Sequence, residues 1–216
     1  MKKFIYAVTS LAFLTACHSN TNTETTQTTA TAEQTSVAAK QSNGEADLSL
    51  GIQMVVNKKH KLPADYNPGE NPNAGEKVRE LIKKMQELGF SISNQYSGFR
   101  SYEYQTKLYQ NYVNKDGKEA ADTYSARPGY SEHQTGLAFD ILNGAGGLLG
   151  ENPQDEKAIE WLHSHAHEYG FIVRFQEGKE AITGYQAEAW HLRYVGDIAE
   201  KIYTSNLTLE EYFGVE

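Results

Sequence analysis

Cysteine is all but missing from this chain of 216 residues: Cys17 is the only one, so no intramolecular disulfide can brace a fold, which must rest on its core or on a metal. Basic runs are missing too. With 20 Lys and Arg against 28 Asp and Glu, the formal net charge is -8, which excludes the electrostatics of a nucleic-acid binder. No apolar stretch reaches the roughly 20 residues needed to span a membrane as a helix. The longest, residues 4–14, is too short, and it follows Lys2 and Lys3 and precedes Thr15-Ala16-Cys17. A charged start, a short apolar core and a small-residue site form an export signal. Large apolar residues then almost disappear from His18 to about Asp47, so this Thr-, Ser- and Gln-rich segment cannot bury enough surface to order itself.

Three segments follow. Residues 1–16 read as a signal peptide and residues 17–47 as a tether. Residues 48–216 read as one globular domain. Leu14-Thr15-Ala16-Cys17 resembles a bacterial lipobox, which implies a lipid on Cys17 and a location at the outer face of a bacterial, Gram-positive cell membrane. A tether of tens of flexible residues lets a domain range a few nanometres from that membrane.

Within the domain, residues 51–57 read as a short strand before a Pro-rich loop. Residues 76–89 carry Val78, Leu81, Ile82, Met85 and Leu88 at helical spacing and stop at Gly89. Residues 90–99 read as a strand and residues 102–113 as a helix. Lys115 to Lys118 reads as a turn. Residues 137–142, 171–175 and 190–195 read as strands, residues 156–169 as a helix ended by Gly170, and residues 197–203 with 207–213 as closing helices. The expected class is α+β: a single domain, a small and mainly antiparallel sheet with packed helices.

Two short motifs carry chemistry. Ser131-Glu132-His133 leads through Gly136 to Ala138-Phe139-Asp140, and Glu188-Ala189-Trp190-His191 follows far downstream. His133, Asp140 and His191 make a set of three N and O donors, the number that hydrolytic zinc takes while keeping one position open. A carboxylate must still take the proton of the attacking water, and Glu188, expected just outside the last strand, is the candidate base. The reverse assignment, Glu188 as ligand with Asp140 outside the shell, stays open. His163, His165 and His167 lie on a helix without the Glu of a His-Glu-x-x-His site and read as packing residues.

Together the motifs fit Ser-x-His-x-x-Gly-x-Ala-x-Asp and Glu-x-Trp-His at every fixed position. The chain thereby resembles the VanY type of zinc D-alanyl-D-alanine carboxypeptidases, a group that includes VanX and the hedgehog-like fold. Ser97-Gly98-Phe99-Arg100-Ser101, Gln105, Ala126-Arg127-Pro128-Gly129 and Gly170-Phe171 extend the likeness from Leu50 to the C-terminus, toward the streptococcal LdcB/DacB L,D-carboxypeptidase branch. The resemblance implies one zinc ion per chain on His133, Asp140 and His191, with Glu188 as base. It implies Arg100 as the charge that meets substrate, either at a terminal carboxylate or at the developing oxyanion. Ser131 and Gln105 are implied as partners of the D-Ala carboxylate and Trp190 as a wall. Arg127 either braces its loop or touches substrate. Phe175 stands where an Arg-Tyr pair is expected after Arg174. The implied substrate is the peptidoglycan stem peptide, cut by an L,D-carboxypeptidase from tetrapeptide to tripeptide. D,D cleavage of pentapeptide stems, endopeptidase action and a non-catalytic wall-binding module remain the rivals. A monomer is expected.

Overall fold

The computed structural model describes residues 44–215. The expected signal peptide, Cys17 and most of the tether lie outside them. Packing already begins before Leu48: Ala46 is buried beside Met54, Val56 and Leu62, and its N–H donates to Lys61 O at 2.9 Å.

Along the chain, α1 (Pro72–Glu87) leads into β1 (Ile92–Ser97), and α2 (Tyr102–Asp116) and α3 (Lys118–Tyr124) form a hairpin. Then come β2 (Ala138–Asn143), α4 (Glu156–His165), β3 (Phe171–Phe175), the single turn α5 (Glu180–Thr183) and β4 (Glu188–Tyr194), closed by α6 (Ala199–Ser205) and α7 (Leu209–Phe213). The four strands form one sheet in the order β1-β2-β4-β3, with every neighbouring pair antiparallel. The α+β class with a small antiparallel sheet is therefore correct.

Alternation of side chains divides the sheet into two faces. On one face Phe139, Ile141, Phe171 and Leu192 pack against Val78, Leu81, Ile82 and Met85 of α1 and Leu162 of α4. Each such side chain contributes about 1.5–3 kcal/mol on burial, enough to hold the sheet rigid beneath whatever sits on its other face. A second cluster, with Val55, Ile172, Val195, Ile202, Leu209 and Phe213, seats the C-terminal helices.

Four local expectations need correction. α1 starts at Pro72, four residues early, because Asn71 accepts the N–H of Ala74 and Pro72 is preset for the first helical position. Residues 51–57 form no strand: Leu48–Gln53 is a 3-10 turn, and the carbonyls of Ile52 and Met54 accept from Arg193 rather than from a neighbouring strand. Gly117, at φ 84, separates α2 from a further helix, α3, that periodicity had not suggested. The helix from Glu156 gives way at Ala166–Tyr169 to a 3-10 turn before left-handed Gly170.

Candidate metal centre and cleft

The three proposed ligands come from three adjoining pieces of backbone. His133 sits on the 3-10 turn Glu132–Thr135, which left-handed Gly136 ends. A Cβ on Gly136 would lie 2.0 Å from Gly69 O, so only glycine lets this turn feed β2. Asp140 on β2 stands directly opposite His191 on β4, and opposed residues of an antiparallel pair share a face. Glu188 is three residues from His191, so strict alternation would turn it to the other face. The pairing prevents this: Val173 faces Leu192 but Phe175 faces Glu188, so β4 spends four steps where β3 spends two. This bulge re-aims Glu188, whose Oε2 lies 3.3 Å from His191 Nδ1. Glu188 thus opens β4 instead of lying outside it.

Ligating atoms of His133, Asp140 and His191 all fall within 4.8 Å of one another. His133 Nε2 and Asp140 Oδ2 are 3.3 Å apart, and His191 Nδ1 and Asp140 Oδ1 are 3.2 Å apart. His133 Nδ1 is 2.7 Å from Gly98 O; a carbonyl can only accept, so Nδ1 carries the proton and Nε2 presents its lone pair to the cluster. Buried His133 Nε2 and Asp140 Oδ1 complete no hydrogen bond. These two unsatisfied buried atoms, with His191 Nδ1 beside them, make a set of two imidazole nitrogens and one carboxylate that fits a divalent ion of zinc's preference.

Charge differs between the two histidines. Burial, aided by the Arg100 guanidinium, lowers the His133 pKa to about 4, against the pull of Asp140, so it is neutral at physiological pH. Burial opposes charge on His191 as well, but the carboxylates of Asp140, Glu132 and Glu188 outweigh it and hold its pKa well above the ordinary value. Asp140 titrates well below the usual carboxylate range, since His133 and His191 overcome its desolvation.

A cleft of about 350 Å³ opens over this cluster and includes every proposed substrate residue: Arg100, Gln105, Ser131 and Trp190 all line it. Arg100 Nη2 donates to Asp140 Oδ2 at 3.1 Å, so its charge sits at the metal cluster. Ser131 precedes the 3-10 turn without capping it, leaving its hydroxyl free of that task. Gln105 Nε2 donates to Ala126 O at 2.7 Å, which leaves its buried, unpartnered Oε1 as an acceptor. An acceptor suits an N–H, not the carboxylate suggested by the resemblance.

Phe175 packs on the His191 ring at 4.8 Å between centroids and on Tyr185 at the same distance. Arg127 braces its loop: its Nε and Nη2 donate to the two Asp122 oxygens at 2.9 and 2.6 Å. His163, His165 and His167 stay apart from the cluster, held by Ala189 O, Trp161 O and Glu200 respectively.

Sequence reading missed the charged group beneath the ligands. Glu132, Arg174, Arg193 and Glu210 are each no more than 4% exposed, yet they are linked by hydrogen bonds of 2.6–2.8 Å. Their one sequence signal was the position of Glu132 beside a ligand.

Residues 67–197 match the family model described as "VanY: D-alanyl-D-alanine carboxypeptidase". Among solved structures, the LdcB LD-carboxypeptidase is 63% identical, covering 76% of this chain and 86% of its own, with a TM-score of 0.71. The L,D-carboxypeptidase DacB of Streptococcus pneumoniae is 62% identical over the same shares, with a TM-score of 0.72. A variant of the D,D-pentapeptidase VanY from the VanB-type resistance cassette, in complex with Zn(II), is 32% identical over 74% of this chain and 97% of its own, with a TM-score of 0.62. With that family model covering more than half its length and the cleft assembled from the motif residues, the chain belongs to the VanY family of D-alanyl-D-alanine carboxypeptidases.

Proposed function

We propose that the chain is a zinc L,D-carboxypeptidase that removes the terminal D-Ala from peptidoglycan tetrapeptide stems, working at the outer face of the membrane where the export signal and Cys17 would place it. The observation that carries this reading is the convergence of His133, Asp140, His191, Glu188 and Arg100 in one cleft. The L,D preference is supported by identities of 62–63% to L,D-carboxypeptidases against 32% to the D,D enzyme.

His133 Nε2, Asp140 and His191 Nδ1 would hold the ion. When bound, zinc polarises the scissile carbonyl and acidifies the attacking water. Glu188 would take the proton from that water as its oxygen adds to the scissile carbonyl carbon, and would then pass the proton to the D-Ala nitrogen, so that the C–N bond breaks and D-Ala leaves as the amine while the carbonyl re-forms as a carboxylate. Arg100, with its guanidinium beside Asp140, would be placed to stabilise the negative charge that develops on the scissile carbonyl oxygen. Gln105 Oε1 accepts a peptide N–H, and Ser131 and Trp190 complete the wall around the D-Ala.

Incubating the protein with tetra- and pentapeptide stems tests this. Free D-Ala is expected from the tetrapeptide in preference, lost with chelator and restored by zinc. Larger fragments would indicate an endopeptidase, while preferential cleavage of the pentapeptide would make the enzyme D,D-specific. Chelator-resistant release, or binding without turnover, would overturn the zinc-peptidase reading.

Zinc affinity should also follow pH with a slope of one proton. His191 must lose its proton to ligate, whereas His133 is already neutral above about pH 4. Because the metal competes with that proton, the apparent affinity should rise about tenfold per pH unit between pH 5 and 6.5, and level off above the His191 pKa. Competition with a fluorescent chelator measures the slope; a flat profile over that range would refute it.

A further inference from the structure

We propose that Glu132 is a positioning residue of the metal centre: its Oε2 accepts the Nε2–H of His191 and thereby commits Nδ1 of that ring to the metal. This inference rests on the zinc reading above. The two oxygens of Glu132 have different surroundings. Oε1 receives Arg174 Nε at 2.8 Å and Arg193 Nη1 at 2.7 Å. Oε2 is buried without a hydrogen-bond partner, and so is His191 Nε2, which lies 3.5 Å away. An acceptor and a donor, each otherwise orphaned, face one another, and a shift of about half an ångström brings them to an ordinary N–H···O bond.

Stability alone gives little reason to keep charges here, because buried ion networks can often be replaced by apolar packing without loss. The arrangement makes sense if the anion has a task. Arg174 and Arg193 both donate to Oε1, so two guanidinium charges face this buried carboxylate and its second oxygen is left for His191. A carboxylate on the outer nitrogen of a ligating histidine fixes ring and tautomer and raises the basicity of the inner nitrogen. The other ligating ring is held by a neutral carbonyl, Gly98 O, on its opposite nitrogen, so the two histidines would ligate through different atoms.

The test uses the full chain and its Glu132→Gln variant, with three measurements: zinc dissociation by chelator competition, kcat and KM on tetrapeptide at saturating zinc, and ¹⁵N-histidine NMR of the zinc-loaded wild type. The variant should bind zinc about 10–100-fold more weakly and lose kcat with KM unchanged. In the wild type, His191 should carry its proton on Nε2 and His133 on Nδ1. A variant that matches the wild type in zinc affinity and kcat overturns the proposal, as does a proton on His191 Nδ1. The NMR arm decides even if the variant fails to fold. A wild type that binds no zinc sinks the metal reading instead.

Discussion

Glu188→Gln is expected to lower kcat on the tetrapeptide stem by about 10²–10⁴-fold while one zinc per chain remains bound. The substitution keeps size and shape but removes the ability to take a proton from water, and Glu188 has no other evident employment. It is 8% exposed, it lines the cleft, and among the described residues its side chain has one close polar contact, His191 Nδ1 at 3.3 Å. Had it been a surface group beside the cleft, the loss would be small. The same experiment separates base from ligand. His133, Asp140 and His191 make a complete ligand set without Glu188, so metal analysis of the variant should return the wild-type stoichiometry. A variant that loses both zinc and turnover would make Glu188 a ligand and move Asp140 outside the shell. One that keeps more than about a tenth of the wild-type kcat would remove Glu188 from proton transfer altogether.

The candidate ligand cluster was legible because its motifs are local in sequence: His133 sits in one turn, Asp140 in the strand that follows it, and His191 in a strand with apolar alternation. β3 was legible to the residue, since Phe171–Phe175 is bounded by Gly170 and a turn. What escaped depends on long-range pairing. Ile52 and Met54 look like strand residues, but their carbonyls meet Arg193, about 140 residues away, and nothing local reveals a side chain taking the place of a neighbouring strand. The bulge that opens β4 at Glu188 and turns it toward His191 is set by pairing with β3 and is invisible in an Ala189-Trp190 pattern. Charged residues read as surface, yet Arg174 and Arg193 are among the most buried side chains described. Gln105 lines the cleft, but its amide N–H is taken by Ala126 O, 21 residues along the chain, a pairing that nothing local in the sequence announces.

The buried charges also make the stability of the domain hang on a residue close to its C-terminus. Glu210 on α7 receives Arg174 Nη1 and Nη2 at 2.8 and 2.6 Å and Asn57 Nδ2 at 3.1 Å, while the other edge of Arg174 holds Glu132. Glu210→Ala leaves a guanidinium, 1% exposed as a residue, without the two carboxylate oxygens that receive its Nη1 and Nη2. Breaking one side of a buried pair costs about 3–5 kcal/mol, which for a domain of this size lowers Tm on the order of 10 °C. Replacing both partners with apolar residues, Glu210→Leu with Arg174→Met, should recover part of that loss, because no charge on Arg174 then remains to be solvated; Glu132 keeps Arg193. Urea or thermal melts of Glu210→Leu, Arg174→Met and the double variant give the coupling directly. A Glu210→Ala protein within about 1 kcal/mol of wild type would mean that Arg174 relaxes to another acceptor, and that α7 is not a foundation of the turn carrying Glu132 and His133.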